Sequence, residues 1–220
     1  AALGERHVDA APRDLRDPGD ERPVGLARRA AAERLGEQRR RAHVAPEDEH
    51  PGRVDVEAMD EAVEWYHQRL LNDPDARAAR DYLRRRGLAG DIARQFKLGW
   101  APDDWDRLAR ELGQPADVLQ DVGLAFRNRR NRMQDSFRAR IMFPIFSESG
   151  EALAFGGRIL PGSDDPAKYK NSAETPIYMK SKTLYGLNWA KADIAKKDQV
   201  VVCEGYTDVI GFHRAGVPRA

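Results

Sequence analysis

Two apolar stretches joined by a short polar connection constrain the fold more than any other feature of the chain. They are RIMFPIF, Arg140 to Phe146, and ALAFGGRIL, Ala152 to Leu160, with SESG between them. Stretches of this length that meet at a Ser- and Gly-containing connection predict a β-hairpin. Neither stretch alternates apolar with polar residues, so we expect both strands to be buried on both faces. The hairpin therefore needs other elements packed on each side of it.

The residues before this hairpin predict a helical subdomain. Apolar residues recur at helical spacing at Met59, Val63, Tyr66 and Leu70, and Asn72-Asp73-Pro74 ends that helix. A second helix is expected from Ala76 to Arg86 with Gly87 as its cap, because glycine favours the left-handed conformation found there. Short helices are expected over 89–96, 104–112 and 115–122. Trp100 and Trp105 are predicted core residues.

Residues 1–54 form a predicted low-order segment. Up to about residue 50 they include no aromatic residue, Ile, Met, Cys or Lys, so they have little to bury. A basic arm built on Arg39, Arg40 and Arg41 is one interpretation, and a solvated linker is the other. The Ala, Arg, Pro and Gly bias is also what a GC-rich gene yields from a wrong start or reading frame.

The stretch QVVVCEGYTDVI predicts the beginning of a βα unit. Its apolar residues suit a central strand that ends at Glu204, and Tyr206 to Ala215 suits the following helix. Ligands bind at the carboxyl ends of strands in open α/β sheets, so Glu204 and Asp208 could hold a hard cation together. Asp208 could equally serve only to complement the helix N-terminus. Cys203 is most simply a core residue.

An arginine-rich stretch, RNRRNRMQDSFRAR, precedes the hairpin. It carries Arg127, Arg129, Arg130, Arg132, Arg138 and Arg140 against a single acid, Asp135. The planar guanidinium fork suits phosphate oxygens, so a nucleic-acid backbone or a nucleotide is a natural partner. A solvated basic turn remains the alternative for 127–132. Arg138 and Arg140 are the better candidates, because they continue into a strand.

A third basic cluster follows the second strand of the hairpin. Arg158 comes after two glycines, and it is followed by Lys168, Tyr169, Lys170 and Asn171, with Lys180 and Lys182 further on. Cations interleaved with an aromatic side chain are what single-stranded nucleic acid requires.

Composition limits the classes that remain. The net charge is +1 although 33% of residues are charged, so any phosphate affinity must come from local clusters. A single Cys excludes an internal disulfide and a multi-cysteine zinc site, and it suits a cytoplasmic protein. No apolar run approaches the roughly 20 residues that a membrane span requires.

Taken together, these stretches resemble the catalytic core of the DnaG-type bacterial DNA primases. The resemblance covers roughly residues 57–217. It rests on YLRRRGLAGDIARQFKLGWAPDDWDRL, FRARIMFPIFSESGEALAFGGRIL, KYKNSAETPIYMKSKTLYGL and EGYTDVI, in that order. The last motif is similar to the opening of a Toprim fold, which primases share with topoisomerases. The resemblance implies an α+β fold: a helical subdomain over 55–125, a β-rich basic groove over 126–197 and the first βα unit of a Toprim module over 198–220.

The resemblance also implies a reaction and its residues. Glu204 and Asp208 would be catalytic, with Glu204 a ligand of Mg²⁺ or Mn²⁺. Template and nucleotide would contact Arg138, Arg140, Arg158, Lys168, Tyr169, Asn171 and Lys180. The implied partners are single-stranded DNA, ribonucleoside triphosphates and, through a further domain, a replicative helicase. A 3′-hydroxyl would attack the α-phosphate of the incoming nucleotide.

Two departures from the family pattern shape the functional expectation. Residues 1–50 contain no Cys, so the family's zinc ribbon is absent from this sequence. The Asp-x-Asp pair of a complete Toprim module would lie beyond Ala220. We therefore expect a primase fragment that is inactive alone. The alternatives are a non-catalytic module that binds single-stranded DNA, and another Toprim protein such as a topoisomerase or a phage primase-helicase. The motifs KYKNS and LYGL argue against the last of these.

Overall fold

A four-stranded antiparallel sheet with helices on both faces forms the centre of the molecule. The computed structural model describes the chain from residue 53 to residue 220, so the predicted low-order segment lies almost wholly outside the described residues. The helices are α1 (Arg53–Asn72), α2 (Arg77–Arg85), α3 (Asp91–Gln95), α4 (Arg107–Leu112), α5 (Ala116–Asp121), α6 (Leu187–Lys197) and α7 (Tyr206–Arg214). The strands are β1 (Gly99–Ala101), β2 (Ala125–Arg127), β3 (Met133–Asp135), β4 (Arg140–Phe146), β5 (Ala152–Ile159) and β6 (Tyr169–Asn171). Short 3₁₀ turns occur at Pro74–Ala76 and Lys180–Lys182.

The predicted hairpin is confirmed as β4 and β5, the two central strands. The sheet order is β1-β4-β5-β6, and β2 pairs with β3 in a separate two-stranded ribbon. Every residue of β4 is buried, as the lack of alternation predicted. The SESG connection is a turn that the Ser147 N–H closes by donating to the Glu151 carbonyl. The strand β1 pairs only with the part of β4 before Pro144, which has no N–H to donate.

One face of the sheet packs against α1, α4 and α5. Met142 and Phe155 lie on this face with Tyr66 from α1 and Leu108 from α4. The helix α1 passes so close to β1 that a Cβ on Gly99 would lie 2.6 Å from the Tyr66 Cβ. Glycine at this position therefore lets α1 reach the sheet.

The opposite face packs against α2, α3 and α7. Ile141 and Phe143 from β4 lie here with Tyr82 from α2 and Ile210 from α7. The helix α2 ends as predicted at Gly87, whose φ is +68°, and Leu88 donates its N–H back to the Leu83 carbonyl. Arrangements of this kind satisfy the last carbonyl groups of a helix.

The predicted helical subdomain contains strand and surface residues that the sequence did not indicate. The strand β1 lies within it, because its backbone completes the edge of a sheet whose other strands come later in the chain. Trp100 on β1 is buried as predicted. The prediction that Trp105 is a core residue is wrong, since its side chain is 61% exposed and packs against Arg138 instead.

The strand predicted to end at Glu204 is not formed. Residues 198–205 have no strand conformation, and Val202 is 79% exposed. The Val201 N–H donates to the Arg219 carbonyl, but no strand among the described residues pairs with this segment. An apolar run becomes a central strand only where neighbouring strands satisfy its backbone groups. The following helix is confirmed as α7.

Candidate nucleic-acid interface

The pleat of the central strands divides the predicted binding residues between the two faces of the sheet. Arg140 pairs with Ile159, whereas Arg158 pairs with Ile141, so the two arginines point to opposite faces. On β6, Tyr169 pairs with Arg158 and therefore shares its face. Successive residues of one strand thus serve two different surfaces.

The first surface is centred on Arg158, and we call Arg158, Tyr82, Tyr169 and Asn171 the Arg158 surface. The Arg158 side chain is 5% exposed, and its Nε donates to the Tyr169 hydroxyl at 3.1 Å. Its guanidinium lies over the Tyr82 ring at 4.6 Å and near the Tyr169 ring at 5.6 Å. The buried Nη1 has no hydrogen-bond partner, and no carboxylate among the described residues pairs with this side chain. A cation in this state favours an incoming anion.

A cleft of about 620 Å³ adjoins this surface and brings the third cluster together with the predicted catalytic pair. Tyr169 and Asn171 line it, and so do Glu204 and Asp208. Both carboxylate residues are exposed, and both lie near the N-terminus of α7. The structure therefore places these predicted residues around one space, although they belong to separate motifs.

Tyr206 joins the two motifs, and sequence reasoning did not single it out. Its hydroxyl donates to Asn171 Oδ1 at 2.9 Å, and its ring stacks on Phe143 at 5.3 Å between centroids. Burial raises the pKa of the Tyr206 hydroxyl, so it stays protonated as a donor. A Cβ on Gly156 would lie 2.4 Å from this ring. The first glycine of GGR thus makes room for the tyrosine of EGYTD.

Glu204 and Asp208 do not form a metal centre by themselves. In the part of the chain that the structure describes, no group of three or more His, Cys, Asp or Glu side chains could hold a metal ion. Mg²⁺ commonly takes one or two carboxylates and completes its octahedron with water and substrate phosphates. These two residues could supply at most that carboxylate share. The charge of Asp208 and, more strongly, burial raise the pKa of the neighbouring Cys203 thiol.

Arg140, on the opposite face, already donates to three oxygen acceptors. Its guanidinium donates to the carbonyls of Gly157 and Ala167 and to Asp165 Oδ2 at 2.6 Å. The Ala167 N–H, and then Arg140, hold the pKa of Asp165 below its usual range. These contacts fix the loop before β6. They favour a structural role, and the DNA contact inferred for Arg140 stays a prediction.

Arg138 is also paired. Its Nη2 donates to Asp103 Oδ1 at 2.7 Å, and its guanidinium lies 3.5 Å from the centre of the Trp105 ring. Its buried Nε has no partner. Arg138 and Arg140 line a second cleft of about 400 Å³ together with Lys170. The structure therefore separates them from the cleft that holds Glu204.

The lysines differ in their surroundings. Lys168 and Lys180 are exposed, and neither lines the cleft of Glu204. Lys170 donates to the Ser136 carbonyl at 2.6 Å, and burial followed by the charge of Arg140 lowers the pKa of its ammonium. It therefore attaches β6 to the segment after β3.

Asp135, the single acid of the arginine-rich stretch, supports the structure locally. It is buried, and its carboxylate accepts the N–H groups of Leu108 at 2.8 Å and Ala109 at 3.1 Å at the start of α4. Burial raises the pKa of this carboxyl to about 6. Nothing in the spacing of the sequence connects β3 to α4, so this contact could not have been predicted.

None of the helices among residues 53–220 combines the length and the apolar content that a membrane span needs.

Comparisons with known proteins agree with these features. The family model described as DNA primase catalytic core, N-terminal domain, matches residues 65–191. A DNA primase of Pseudomonas putida is 46% identical over 168 residues, which are 74% of this chain and 25% of the relative.

The solved structures that this chain resembles are also primase domains. The RNA polymerase domain of Mycobacterium tuberculosis primase DnaG, solved with a double-stranded DNA oligomer with an overhang, has a TM-score of 0.72 and 39% identity, covering 76% of this chain and 53% of that one. A DnaG primase catalytic domain bound to single-stranded DNA has a TM-score of 0.69 and 38% identity, covering 76% and 54%. The chain thus spans about a quarter of its curated relative and about half of these structures.

Proposed function

Because the chain belongs to the family of the DNA primase catalytic core, N-terminal domain, we propose that it forms the template-binding part of a primase that makes short RNA primers on single-stranded DNA. One observation carries the proposal. Tyr169 and Asn171 of the Arg158 surface line the same cleft as Glu204 and Asp208. A template held on that surface would therefore lie close to the carboxylates.

Each part of the Arg158 surface has a chemical role in this proposal. The unpartnered Nη1 of Arg158 is buried, so it would donate to a template phosphate only after a side-chain movement exposes it, and exposed Lys168 and Lys180 would add charge. Tyr169 is 42% exposed and offers a ring on which a base can stack. Asn171 is held by Tyr206 and would position the edge of the cleft. Arg138 would contact a phosphate only by exchanging its carboxylate partner, Asp103.

The carboxylates would serve the nucleotide side of the reaction. Glu204 and Asp208 would hold Mg²⁺ or Mn²⁺ together with the phosphates of a ribonucleoside triphosphate, and the ion would supply neutralisation of negative charge. Because the described residues do not complete a metal centre, we expect the 220-residue chain to bind DNA without making primers. The replicative helicase predicted from the resemblance also stays a prediction.

A primer-synthesis assay tests the catalytic part of the proposal. The 220-residue chain would be incubated with single-stranded template, ribonucleotides and Mg²⁺, and RNA products would be separated by length. We expect no product above a reaction without protein. Robust synthesis would contradict the expected inactivity, and loss of that product in Glu204→Gln would assign it to this cleft.

Fluorescence anisotropy with a labelled oligonucleotide tests the binding part. We expect Arg158→Ala and Lys168→Ala each to weaken DNA binding, and the affinity to fall steeply with salt because phosphate contacts release counterions. Lys197→Ala, an exposed lysine at the end of α6, is the matched control. Affinity that does not respond to salt or to Arg158→Ala would exclude the Arg158 surface as the DNA site.

A further inference from the structure

The first part of the arginine-rich stretch, which the proposed function does not use, forms a defined hairpin. The strands β2 and β3 pair from Ala125 with Asp135 to Arg127 with Met133, and residues 128–132 connect them. We call this element the arginine hairpin. Its exposed cations are Arg127, Arg129, Arg130 and Arg132.

Asn128 holds the turn of the arginine hairpin in one shape. Its side-chain Oδ1 accepts the N–H groups of Arg130 at 2.9 Å and Arg132 at 3.1 Å. Its own N–H donates to the Arg132 carbonyl, and its carbonyl accepts the N–H of Asn131, which has a φ of +57°. The backbone that carries the arginines is therefore fixed before any ligand arrives.

Among residues 53–220, no acid neutralises the charges on this turn. No carboxylate in the described part of the chain lies within ion-pairing distance of Arg129, Arg130 or Arg132, whereas Arg69, Arg107, Arg110, Arg138 and Arg140 all have one. The three side chains line a cleft of about 540 Å³ with Trp105. Asp106, which also lines that cleft, pairs with Arg110. Neighbouring cations without acids repel each other, and an anion would relieve that repulsion.

This cleft neighbours the cleft on the Arg140 face of the sheet, whose charged lining is mixed: Arg138, Arg140 and Lys170 lie there with Asp103, Asp135, Asp164 and Asp165. Gln134 on β3 lines both spaces. Lys170 of β6 lines the cleft on the Arg140 face and donates to the Ser136 carbonyl, just after β3. Because Tyr169 and Lys170 are adjacent on an edge strand, a chain of phosphates that leaves the Arg158 surface can pass around β6 towards the arginine hairpin.

We propose that the arginine hairpin is a second contact for the phosphate backbone of single-stranded DNA, reached only by strands long enough to pass around the edge of the sheet. The inference rests on the proposed function, because it extends the DNA path beyond the Arg158 surface. Guanidinium groups on a fixed turn suit successive phosphate oxygens. The hairpin would therefore increase affinity for long strands and leave short ones unaffected.

A length series with a hairpin variant tests this proposal in the full 220-residue chain. Arg129, Arg130 and Arg132 would all be changed to Gln, and anisotropy would be measured with oligo-dT of about 5 and about 20 nucleotides, which bracket common single-strand site sizes. We expect roughly tenfold weaker binding of the long strand and a salt slope smaller by about 2, since each single-strand phosphate contact contributes roughly 0.7. Binding of the short strand should not change.

Control variants separate this effect from general loss of charge or folding. Lys191, Lys196 and Lys197 on α6 changed to Gln remove the same charge from another surface, and long-strand affinity should stay that of the unmodified chain. Asn128→Ala keeps every arginine but loses the turn contacts, so it should lose part of the affinity that the hairpin adds for the long strand. Asn131→Gly, which suits the positive φ, should keep the full affinity for the long strand. Thermal unfolding would show that each variant is folded.

The outcomes distinguish this inference from the proposed function. Equal losses for short and long strands, or an unchanged salt slope, would overturn the role of the hairpin. If Arg158→Ala weakens both strands while the hairpin variant binds like the unmodified chain, the hairpin contact fails and the proposed function stands. If only the hairpin variant loses affinity, the Arg158 surface fails. Hairpin-dependent binding of poly-glutamate, without hairpin dependence for DNA, would assign the element to an acidic protein partner and overturn the proposal.

Discussion

Arg140 and Arg158 lie on neighbouring strands of the same sheet, are buried to nearly the same extent and have opposite surroundings. Arg140 is 2% exposed and donates to Asp165 and to backbone carbonyls. Arg158 is 5% exposed, rests against tyrosine rings and leaves Nη1 without a partner. One face of the sheet thus uses its arginine to fix a loop, and the other keeps its arginine available for an anion.

Burial alone therefore does not define the role of an arginine. A buried cation that donates to a carboxylate and to backbone carbonyls stabilises a local structure, whereas a buried donor without a partner retains a desolvation penalty. A phosphate oxygen that accepts a hydrogen bond from Nη1 would remove that penalty at Arg158. At Arg140 it would have to displace an existing carboxylate, Asp165.

Arg140→Ala is expected to have the largest effect on stability. It removes the bonds that hold the loop before β6, and we expect the free energy of unfolding to fall by about 2–4 kcal/mol. Urea denaturation followed by circular dichroism would measure it. Arg158→Ala, which has no carboxylate partner to strand, should cost clearly less, and equal losses would remove the contrast between the two faces.

Arg158→Lys tests whether the charge or the guanidinium geometry of Arg158 determines the affinity for DNA. Lysine keeps the charge but cannot reproduce the guanidinium fork or its packing against Tyr82, so we expect single-stranded DNA to bind about tenfold more weakly. Anisotropy titrations at constant salt would report it. Full affinity in this variant would mean that charge alone, and not the geometry of Arg158, attracts the strand.

The adjacent glycines give a matched pair for the two faces. In Gly156→Ala a Cβ would meet Tyr206, while in Gly157→Ala it would lie 2.8 Å from Phe137 and 3.0 Å from the Arg140 Cδ. Each should cost about 1–3 kcal/mol through overpacking. Only Gly156→Ala should also change the fluorescence of the aromatic residues beside Tyr206. Only this variant should weaken DNA binding when the affinity is calculated per folded molecule.

Gly211→Ala controls for the loss of glycine itself. A Cβ there meets no atom within 4 Å on helix α7, so we expect a gain of about 0.5–1 kcal/mol from helix propensity. Destabilisation by this variant as large as that of Gly156→Ala would show that contact with Tyr206 is not the cause.

Tyr169→Phe probes the polar contact of Arg158. It removes the hydroxyl that accepts from Nε but keeps the ring, so stability should fall by about 0.5–1.5 kcal/mol and base stacking should persist. A loss of DNA affinity as large as in Arg158→Ala would instead indicate that the hydroxyl itself contacts the strand.

Acid titration should produce the smallest effect, and it should act on the Arg140 face. The folded pKa of Asp165 is lowered, so its contribution to stability is present above its unfolded pKa and is lost as the pH falls through the folded value. Below about pH 4 the unmodified chain should therefore approach the stability of Asp165→Asn. Parallel stability curves for both proteins down to the lowest pH would show that this ion pair contributes nothing.

Much of the fold could be predicted because its signals are local. The hairpin β4–β5, the helices α1, α2 and α7, and the cap at Gly87 follow from spacing, turn residues and glycine. The strand expected before Glu204 was wrong, since pairing depends on neighbours that the run itself does not specify. Trp105 was misplaced for a similar reason, because an aromatic residue next to acids can cover a partner such as Arg138 at the surface.

The candidate site was predictable as a set of residues and less so as an arrangement. Glu204, Asp208, Tyr169 and Asn171 were named from their motifs, and the structure brings them to one cleft. Tyr206, which connects them, carried only a weak signal as the aromatic residue inside EGYTD.

The sequence by itself determined the α+β class, the central hairpin buried on both faces and the family to which the chain belongs. It did so because periodicity, turn chemistry and ordered motifs are properties of neighbouring residues. Only the tertiary structure decided that Arg140 meets Asp165, that Arg158 lies between tyrosines and that Arg129, Arg130 and Arg132 form no ion pair within residues 53–220. These roles depend on which distant residues share a face of the sheet, and a guanidinium group acts according to the partners that the fold places around it.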